Sequence, residues 1–327
     1  MPVDVRALRC FVATATAGSI SRAAEMVHLA QPALSLQIKN LEEELGVILF
    51  ERTSKGVVLT ELGQRFLTQA VDILKRLDYA CEDVREGAKN PSGTVSIGLS
   101  QSVAKLLTVP LVRETLVRWP DIRLQVVEMS TGYIPNSLIS GHLDIGVTFH
   151  AQSAAGLHFE QLIEEELVLV GSPGKLFTMT NGRPESLLSI PAAQISGYPL
   201  VLPAKLHGLR TLVDSVLLGN GVELKVIAEV NAIPELIQLS AAGVGYTILS
   251  LAAVREELQS GLLSGARINQ PTISRPVYLA RATTRPQSAA MSVILDLMAS
   301  LVHGLVSRGD WPARQAQAYP RPGAKAL

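Results

Sequence analysis

The chain has 327 residues, enough for two or three folded units at roughly 100–200 residues each. Hydrophobic residues make up 47% and charged residues 18%, which allows a buried core and excludes a disordered polyelectrolyte. Lys+Arg and Asp+Glu both number 29, so any basic surface must be local, and 4% aromatics argues against a protein that stacks single-stranded bases.

The first ten residues, MPVDVRALRC, lack the charged-then-apolar pattern of a leader. No run is read as reaching the roughly 18 apolar residues that span a bilayer. A cytoplasmic location is therefore expected. Next, Leu8, Phe11, Val12 and Ala15 recur at helical spacing, and Gly18 ends that helix. Ser19 reads as the N-cap of a second helix with Ile20, Ala23, Ala24 and Val27 on one face. After a turn at His28–Ala30, Gln31-Pro32 opens a third helix whose inner face is Leu34, Ile38, Leu41 and Leu45, with Gly46 as its stop. Residues 47–59 read as a hairpin around Thr53-Ser54-Lys55-Gly56. Thr60 then caps a long helix with the stripe Leu62, Phe66, Ala70, Ile73, Leu77, Cys81 and Val84. Its length, about 40 Å at 1.5 Å per residue, exceeds what a small head can cover, so a second copy is expected to bury the stripe. Cys10 and Cys81 have neither CxxC nor metal-ligand spacing and read as small buried apolar residues.

The breaker cluster Asn90-Pro91-Ser92-Gly93 reads as a hinge. Beyond it, strands are expected at 94–100, 123–128, 144–149, 166–170, 199–202, 224–230 and 276–282. Helices are expected at 103–118, 209–218, 234–242 and 288–306. Such alternation predicts parallel sheets with crossover helices. The tail from Arg308, with Pro312, Pro320 and Pro322, is expected to be disordered.

Helix, helix, tight turn, Pro-started helix and hairpin follow the winged helix-turn-helix plan, although a plain helical cap shares the same periodicity. Residue identities separate the two. Gly18-Ser19-Ile20 with Ala23-Ala24, Ala30-Gln31-Pro32-Ala33-Leu34-Ser35, Gln37-Ile38, Leu41-Glu42, Leu45-Gly46, Leu49-Phe50, Arg52, Leu59-Thr60 and Gly63 resemble the N-terminal signature of LysR-type transcriptional regulators. Ser92–Gly98, Leu202-Pro203 with His207–Arg210, and Gly243-Val244-Gly245-Tyr246 are similar to the branch of that family around the nitrogen assimilation control protein. The resemblance covers nearly all of the chain.

It implies an α plus α/β architecture. A winged helix-turn-helix DNA-binding domain (1–60) leads through a linker dimerisation helix (61–89) and a hinge (90–93). A periplasmic-binding-protein-like effector domain of two α/β lobes follows (94–306), with lobe I about 94–165 and 267–306 and lobe II about 166–266. Residues 307–327 form the tail. The implied function is regulation of transcription on an inverted-repeat DNA site by a homodimer or homotetramer. RNA polymerase is a candidate partner. No enzyme activity, cofactor, metal or membrane is implied.

On the third helix the outer face offers Gln31, Pro32, Ala33, Ser35, Leu36 and Lys39 to a major groove, which admits one α-helix. Gln31 suits adenine, Ser35 several bases, Pro32 and Ala33 thymine methyls, and Lys39 a phosphate. Leu36 departs from the family, in which many members carry Arg there. Ser19, Ser21 and Arg22 can take phosphate at the start of the second helix, and Arg52 and Lys55 suit a minor groove from the wing. Plain solvation of Lys39 and Lys55, and a mere helix-starting role for Gln31, stay open. The head is not basic overall, because six Arg and Lys residues are offset by six acids over residues 1–60.

In an open α/β fold, ligands lie beyond the carboxyl ends of strands. That rule selects Ser100, Gln101 and Ser102 after the first strand, Thr131 after the second, Thr148 after the third, and Pro203, Lys205, His207 and Arg210 in the other lobe. By resemblance Ser100, Thr131, Thr148, Pro203 and Tyr246 fall near the family's effector positions. Hydroxyls at helix N-termini suit an anion, most simply a small carboxylate; ordinary helix capping is the alternative for each. A solute receptor would need a leader and no head. An enzyme would need a P-loop, GxGxxG, GxSxG, HExxH or paired Cys/His, and none is present.

Overall fold

A computed structural model describes residues 3–53, 56–85, 90–151, 156–174, 187–285 and 287–316. Helix α1 (Val5–Ala17) starts where Asp4 Oδ1 accepts the Ala7 N–H at 2.6 Å. It stops at Gly18, whose φ of 61° is left-handed. Helix α2 (Ile20–Met26) and helix α3 (Gln31–Leu45) follow, with Pro32 in the first turn of α3 and Gly46 (φ 66°) beyond its end. Strands β1 (Phe50–Thr53) and β2 (Gly56–Leu59) pair antiparallel as the wing. The core they enclose is Leu8, Phe11, Ala23, Ala24, Leu34, Ile38, Leu41 and Leu49, as the 3.6-residue periodicity predicts. Phe11 lies 5.2 Å from Phe50 and 5.0 Å from Phe66, both tilted.

Helix α4 (Glu61–Arg85) is about 38 Å long at 1.5 Å per residue. Thr60 Oγ1 caps it, accepting the Gly63 N–H at 2.9 Å and donating to Ile48 O at 2.8 Å. The expectation of one apolar seam kept for a partner needs correction. Phe66, Leu67, Ala70 and Leu74 pack on the chain's own head, while Leu62, Ile73 and Cys81 are exposed. Further along, the helix docks on the larger unit through charge. Lys75 Nζ lies 2.7 Å from Asp144 Oδ1, Arg285 Nε 2.5 Å from Asp72 Oδ1, and Arg76 donates to Thr284 O at 3.4 Å. The expected linker end at 86–89 lies outside the described residues.

In lobe I, strand β3 (Gly93–Leu99) lies parallel to β4 (Ile122–Glu128) and to β5 (Ile145–Thr148). Helices α5 (Gln101–Arg118) and α6 (Ile134–Ile139) connect them. The fifteen-residue β6 (Leu157–Gly171) then runs on into lobe II. Lobe II holds β7 (Ser189–Pro191), β8 (Pro199–Leu202), α7 (Gly208–Gly219), β9 (Lys225–Glu229), α8 (Ile233–Ala241), β10 (Thr247–Ser250), α9 (Leu251–Gln259) and β11 (Ser264–Asn269). Strand β12 (Ser274–Ala282) returns to lobe I between β5 and β6, and helix α10 (Ala289–Ser307) covers it.

Three expectations change. First, the sheets are mixed: β5, β10, β11 and β12 make antiparallel pairs, and the strand expected at 166–170 is only the end of β6. The earlier part of β6, LHFEQLIEEE, is rich in acids and so lacks the apolar signature of a buried strand, but its neighbours supply cations. Arg267 bonds Glu166, and Arg275 bonds Glu165. Second, residues 267–269 belong with lobe II, because Arg267, Ile268 and Asn269 pair with Ser189, Ile190 and Pro191. Third, the tail is ordered at least to residue 316. Strand β13 (Ala313–Gln315) pairs with Glu165, Glu164 and Ile163 of β6, and Trp311 is buried. Proline spacing signals disorder only where nothing pairs with the segment, and here the edge of β6 does. Residues 317–327 lie outside the described set.

Helix α10 is the one helix among the described residues long and apolar enough to cross a membrane. Its Met291, Ile294, Leu297, Met298 and Val302 are buried in the lobe I core against the sheet and α5.

Candidate nucleic-acid interface and ligand cleft

Burying Leu34, Ile38 and Leu41 turns the opposite face of α3 outward. Gln31, Pro32, Ala33, Leu36 and Lys39 are exposed there, and Ser35 is half-buried. Leu36 is 56% exposed, an apolar side chain with no core role. Pro32, Ser35, Leu36 and Lys39 line a groove of about 460 Å³ whose far wall is Arg52 and Val57 of the wing. Gly18 sets the wing's position: Val57 N–H donates to its carbonyl at 3.0 Å, and a side chain on Gly56 would meet that oxygen at 2.3 Å.

Ser21 and Arg22 are exposed beside the start of α3. Ser21 Oγ donates to Gln31 Oε1 at 3.1 Å, which joins α2 to α3 and orients the glutamine amide. Ser19 holds the expected N-cap position in extended backbone, but its hydroxyl makes no capping bond. Lys39 sits 3.4 Å from Glu43 with both side chains largely exposed, a pair worth about 0–1 kcal/mol that a phosphate can displace. Lys55 lies outside the described residues. One structural residue escaped the pattern reading. Glu42 Oε1 accepts the Leu49 and Phe50 N–H groups at 2.7 and 3.0 Å, anchoring the wing to α3.

Between the lobes lies a cleft of about 270 Å³. Ser100, Gln101, Ser102, Thr131 and His207 line it, brought there from three separate connections. Thr148, Pro203 and Tyr246 are not in its lining. Thr148 is buried beneath it, next to Phe149, which does line it. Pro203 turns its carbonyl to Arg210 Nη1 at 3.1 Å. Tyr246 stacks edge-on against Tyr198 at 4.7 Å, and burial, then Tyr198, raises its phenol above the usual range. Arg210 is a structural cation held by Asp214 and Glu229 at 2.8 and 3.0 Å.

The residues missed are Glu128, Asn231, Ser250 and Arg275. Ser250 ends β10, so the strand-end rule would have found it had that strand been legible. Arg275 carries no local signal, since its partner is 110 residues away. Its guanidinium lies 3.5 Å over the Phe149 ring and 2.5 Å from Glu165 Oε1, and Trp311 Nε1 donates to Glu165 Oε2 at 3.0 Å. Burial and then Arg275 lower the His207 and His150 imidazoles below their usual value, so neither supplies a cation to the cleft near neutral pH. His207 Nδ1 instead accepts the Leu209 N–H at 3.2 Å.

Comparison with known families and structures agrees with this architecture. Residues 5–64 match the model for "Bacterial regulatory helix-turn-helix protein, lysR family", and residues 88–302 match "LysR substrate binding domain". The chain belongs to the LysR family. The nitrogen assimilation regulatory protein nac of Klebsiella aerogenes is 32% identical over 96% of this chain and 99% of its own length. The regulator BbuR of Bordetella bronchiseptica is 29% identical over 95% and 94%. Among solved structures, a full-length OxyR variant from Pseudomonas aeruginosa superposes with a TM-score of 0.74 at 23% identity, over 98% of this chain and 100% of that one. Full-length CbnR complexed with its target DNA gives 0.65 at 22% identity, over 92% and 99%. The LysR assignment makes this protein a DNA-binding transcriptional regulator with an effector-binding domain.

Proposed function

We propose that this LysR regulator reads an inverted-repeat promoter site with two heads joined through α4, acting in the cytoplasm, and that a small carboxylate-bearing ligand in the interlobe cleft tunes it. The outward face of α3 supports the first part: Gln31, Pro32, Ala33, Ser35 and Leu36 suit base edges and methyls. Lys39 and Arg22 suit phosphates, with Ser21 and Ser19 beside them, and Arg52 suits a minor groove from the wing. Exposed Leu62 and Ile73 favour a second copy along α4. The lobes joined by the shared strand β6 give the ligand a route to act, provided it binds one arrangement of the lobes more tightly than the other.

A gel-shift titration on the DNA upstream of the protein's own gene, with added salt, tests this reading. Because phosphate contacts dominate affinity, binding should fall steeply with salt. Gln31→Ala/Ser35→Ala should lose about 30-fold or more on the specific site, at roughly 1–3 kcal/mol for each of the two base contacts, while non-specific binding stays. Equal loss on all DNA would remove the base-reading roles of Gln31 and Ser35.

A further inference from the structure

The fixed charges of the cleft do not favour a simple anion. Arg275 is the one arginine or lysine in its lining among the described residues, and it is already paired with buried Glu165. Glu128, at the end of β4, lines the same cleft, is exposed, and makes no ion pair among the described residues. Arg275, Glu165 and Glu128 therefore sum to a net negative charge at neutral pH, and a bare carboxylate would meet Glu128 without compensation.

The same cleft also holds donors. Helix α5, of 18 residues, starts at Ser100, and helix α9, of 9 residues, starts at Ser250. Neither serine hydroxyl accepts a backbone N–H of its own helix, although both stand at the N-cap with extended backbone. The first N–H groups of each helix thus lack side-chain caps, and each helix end carries partial positive charge. Ser250 is 2% exposed, and its Oγ has no hydrogen-bond partner among the described residues. A buried hydroxyl without a partner is destabilising, and a bound acceptor restores its hydrogen bond. Ser100 Oγ is 3.4 Å from Ser102 Oγ, so it too can turn to an acceptor.

A donor pole at two helix ends and an unpaired carboxylate in one small cavity describe a binding site for a dipole. Resting on the reading of this cleft as the effector site, we infer that its ligand is a free α-amino acid. The carboxylate is held by the N-termini of α5 and α9 with Ser250 Oγ donating to it, and the ammonium faces Glu128. Met129, Leu209, Ile233 and Leu249 give the ligand's side chain an apolar wall. The volume, about 270 Å³, lies just below the roughly 300–1,000 Å³ of drug-sized sites, in keeping with a molecule of this size.

The test is calorimetric titration of the full-length protein with each of the twenty L-amino acids. Whichever binds most tightly is then compared with its α-deamino acid and its carboxamide. The expected result is saturable binding of at least one amino acid, with both analogues at least about tenfold weaker. Ser250→Ala should weaken the amino acid about tenfold, the worth of one hydrogen bond to a charged group. Glu128→Gln should erase the preference over the deamino acid. Both variants should fold, since one removes an unpartnered hydroxyl and the other alters an exposed side chain. A deamino acid that binds as tightly as the amino acid, with Glu128→Gln without effect, overturns the zwitterion and leaves an anion site. Amino-acid binding unchanged in both variants places the ligand elsewhere and overturns the inference. No binding of any amino acid or deamino acid overturns both this inference and the carboxylate reading of the cleft.

Discussion

Replacing Glu165 by Ala removes the hub of the interlobe floor. Glu165 is 1% exposed and holds two groups at once: Arg275, itself nearly buried, and the Trp311 indole N–H. Breaking a buried ion pair by deleting one partner costs about 3–5 kcal/mol, because the remaining charge stays desolvated. The orphaned indole N–H adds to this, but not independently, since both donors share one carboxylate. The Phe149 ring below the guanidinium recovers only about 0.5–2 kcal/mol, and it does so in the parent as well. The net expectation is a loss of about 3–5 kcal/mol, or roughly 6–20 °C at 2–4 °C per kcal/mol for a unit of this size. Urea unfolding followed by tryptophan emission reads it directly, because Trp311 is one of only two tryptophans and sits on the hub. A Trp119→Phe background isolates the signal. The double variant Glu165→Leu/Arg275→Met should regain most of the loss, since an apolar replacement of a buried pair is often neutral or stabilising. A Glu165→Ala protein within about 1 kcal/mol of the parent would refute both the assigned cost and the ordering of the tail at Trp311.

In the head, Glu42→Ala strips the acceptor from the Leu49 and Phe50 N–H groups and should cost about 1–3 kcal/mol. Amide exchange across 47–59 should accelerate while exchange in α1 does not, and unchanged exchange would show the wing holds without it. Along the linker, Asp144→Asn removes the charge that meets Lys75, so exchange in α4 beyond Asp72 should accelerate and depend less on salt. Equal protection in both proteins would show that packing alone holds the helix. His142, His150 and His207 all titrate below the ordinary imidazole value, by burial first, with Lys75 and Arg285 adding at His142 and Arg275 at the other two. The unfolded chain then binds more protons as pH falls through about 6.5, so stability holds above that pH and declines below it. A triple His→Gln variant should show a smaller drop in urea midpoint between about pH 7.5 and pH 5.5, and an equal drop would assign the loss to other groups.

The head is the part of this molecule that its sequence describes most fully. Its helices are short and amphipathic, so the spacing of Leu34, Ile38 and Leu41, with stops at Gly18 and Gly46, already dictates which faces turn inward and which face of α3 is left outside. The ligand cleft is legible only in part. Ser100, Gln101, Ser102, Thr131 and His207 follow strand ends and line it, whereas Thr148 and Pro203 meet the same rule and do not, nor does Tyr246, which the resemblance added and which stands before β10. Strand-end position fixes the side of the sheet on which a residue lies, and the twist and crossing of the two lobes then decide how far each side chain reaches.

What the sequence by itself determined is the order of units and the amphipathic faces, because periodicity is a local property of the chain. What only the tertiary structure decided is pairing. Strand β6 passes through both lobes with Glu164, Glu165 and Glu166 in its middle, and nothing near them in sequence shows what neutralises them. The charges come from Arg275, 110 residues from Glu165, and Arg267, 101 residues from Glu166, while Trp311, 146 residues away, adds a hydrogen bond to Glu165. A buried charge is stable only beside its partner, and such partners are chosen by how the chain folds back on itself rather than by what lies next along it.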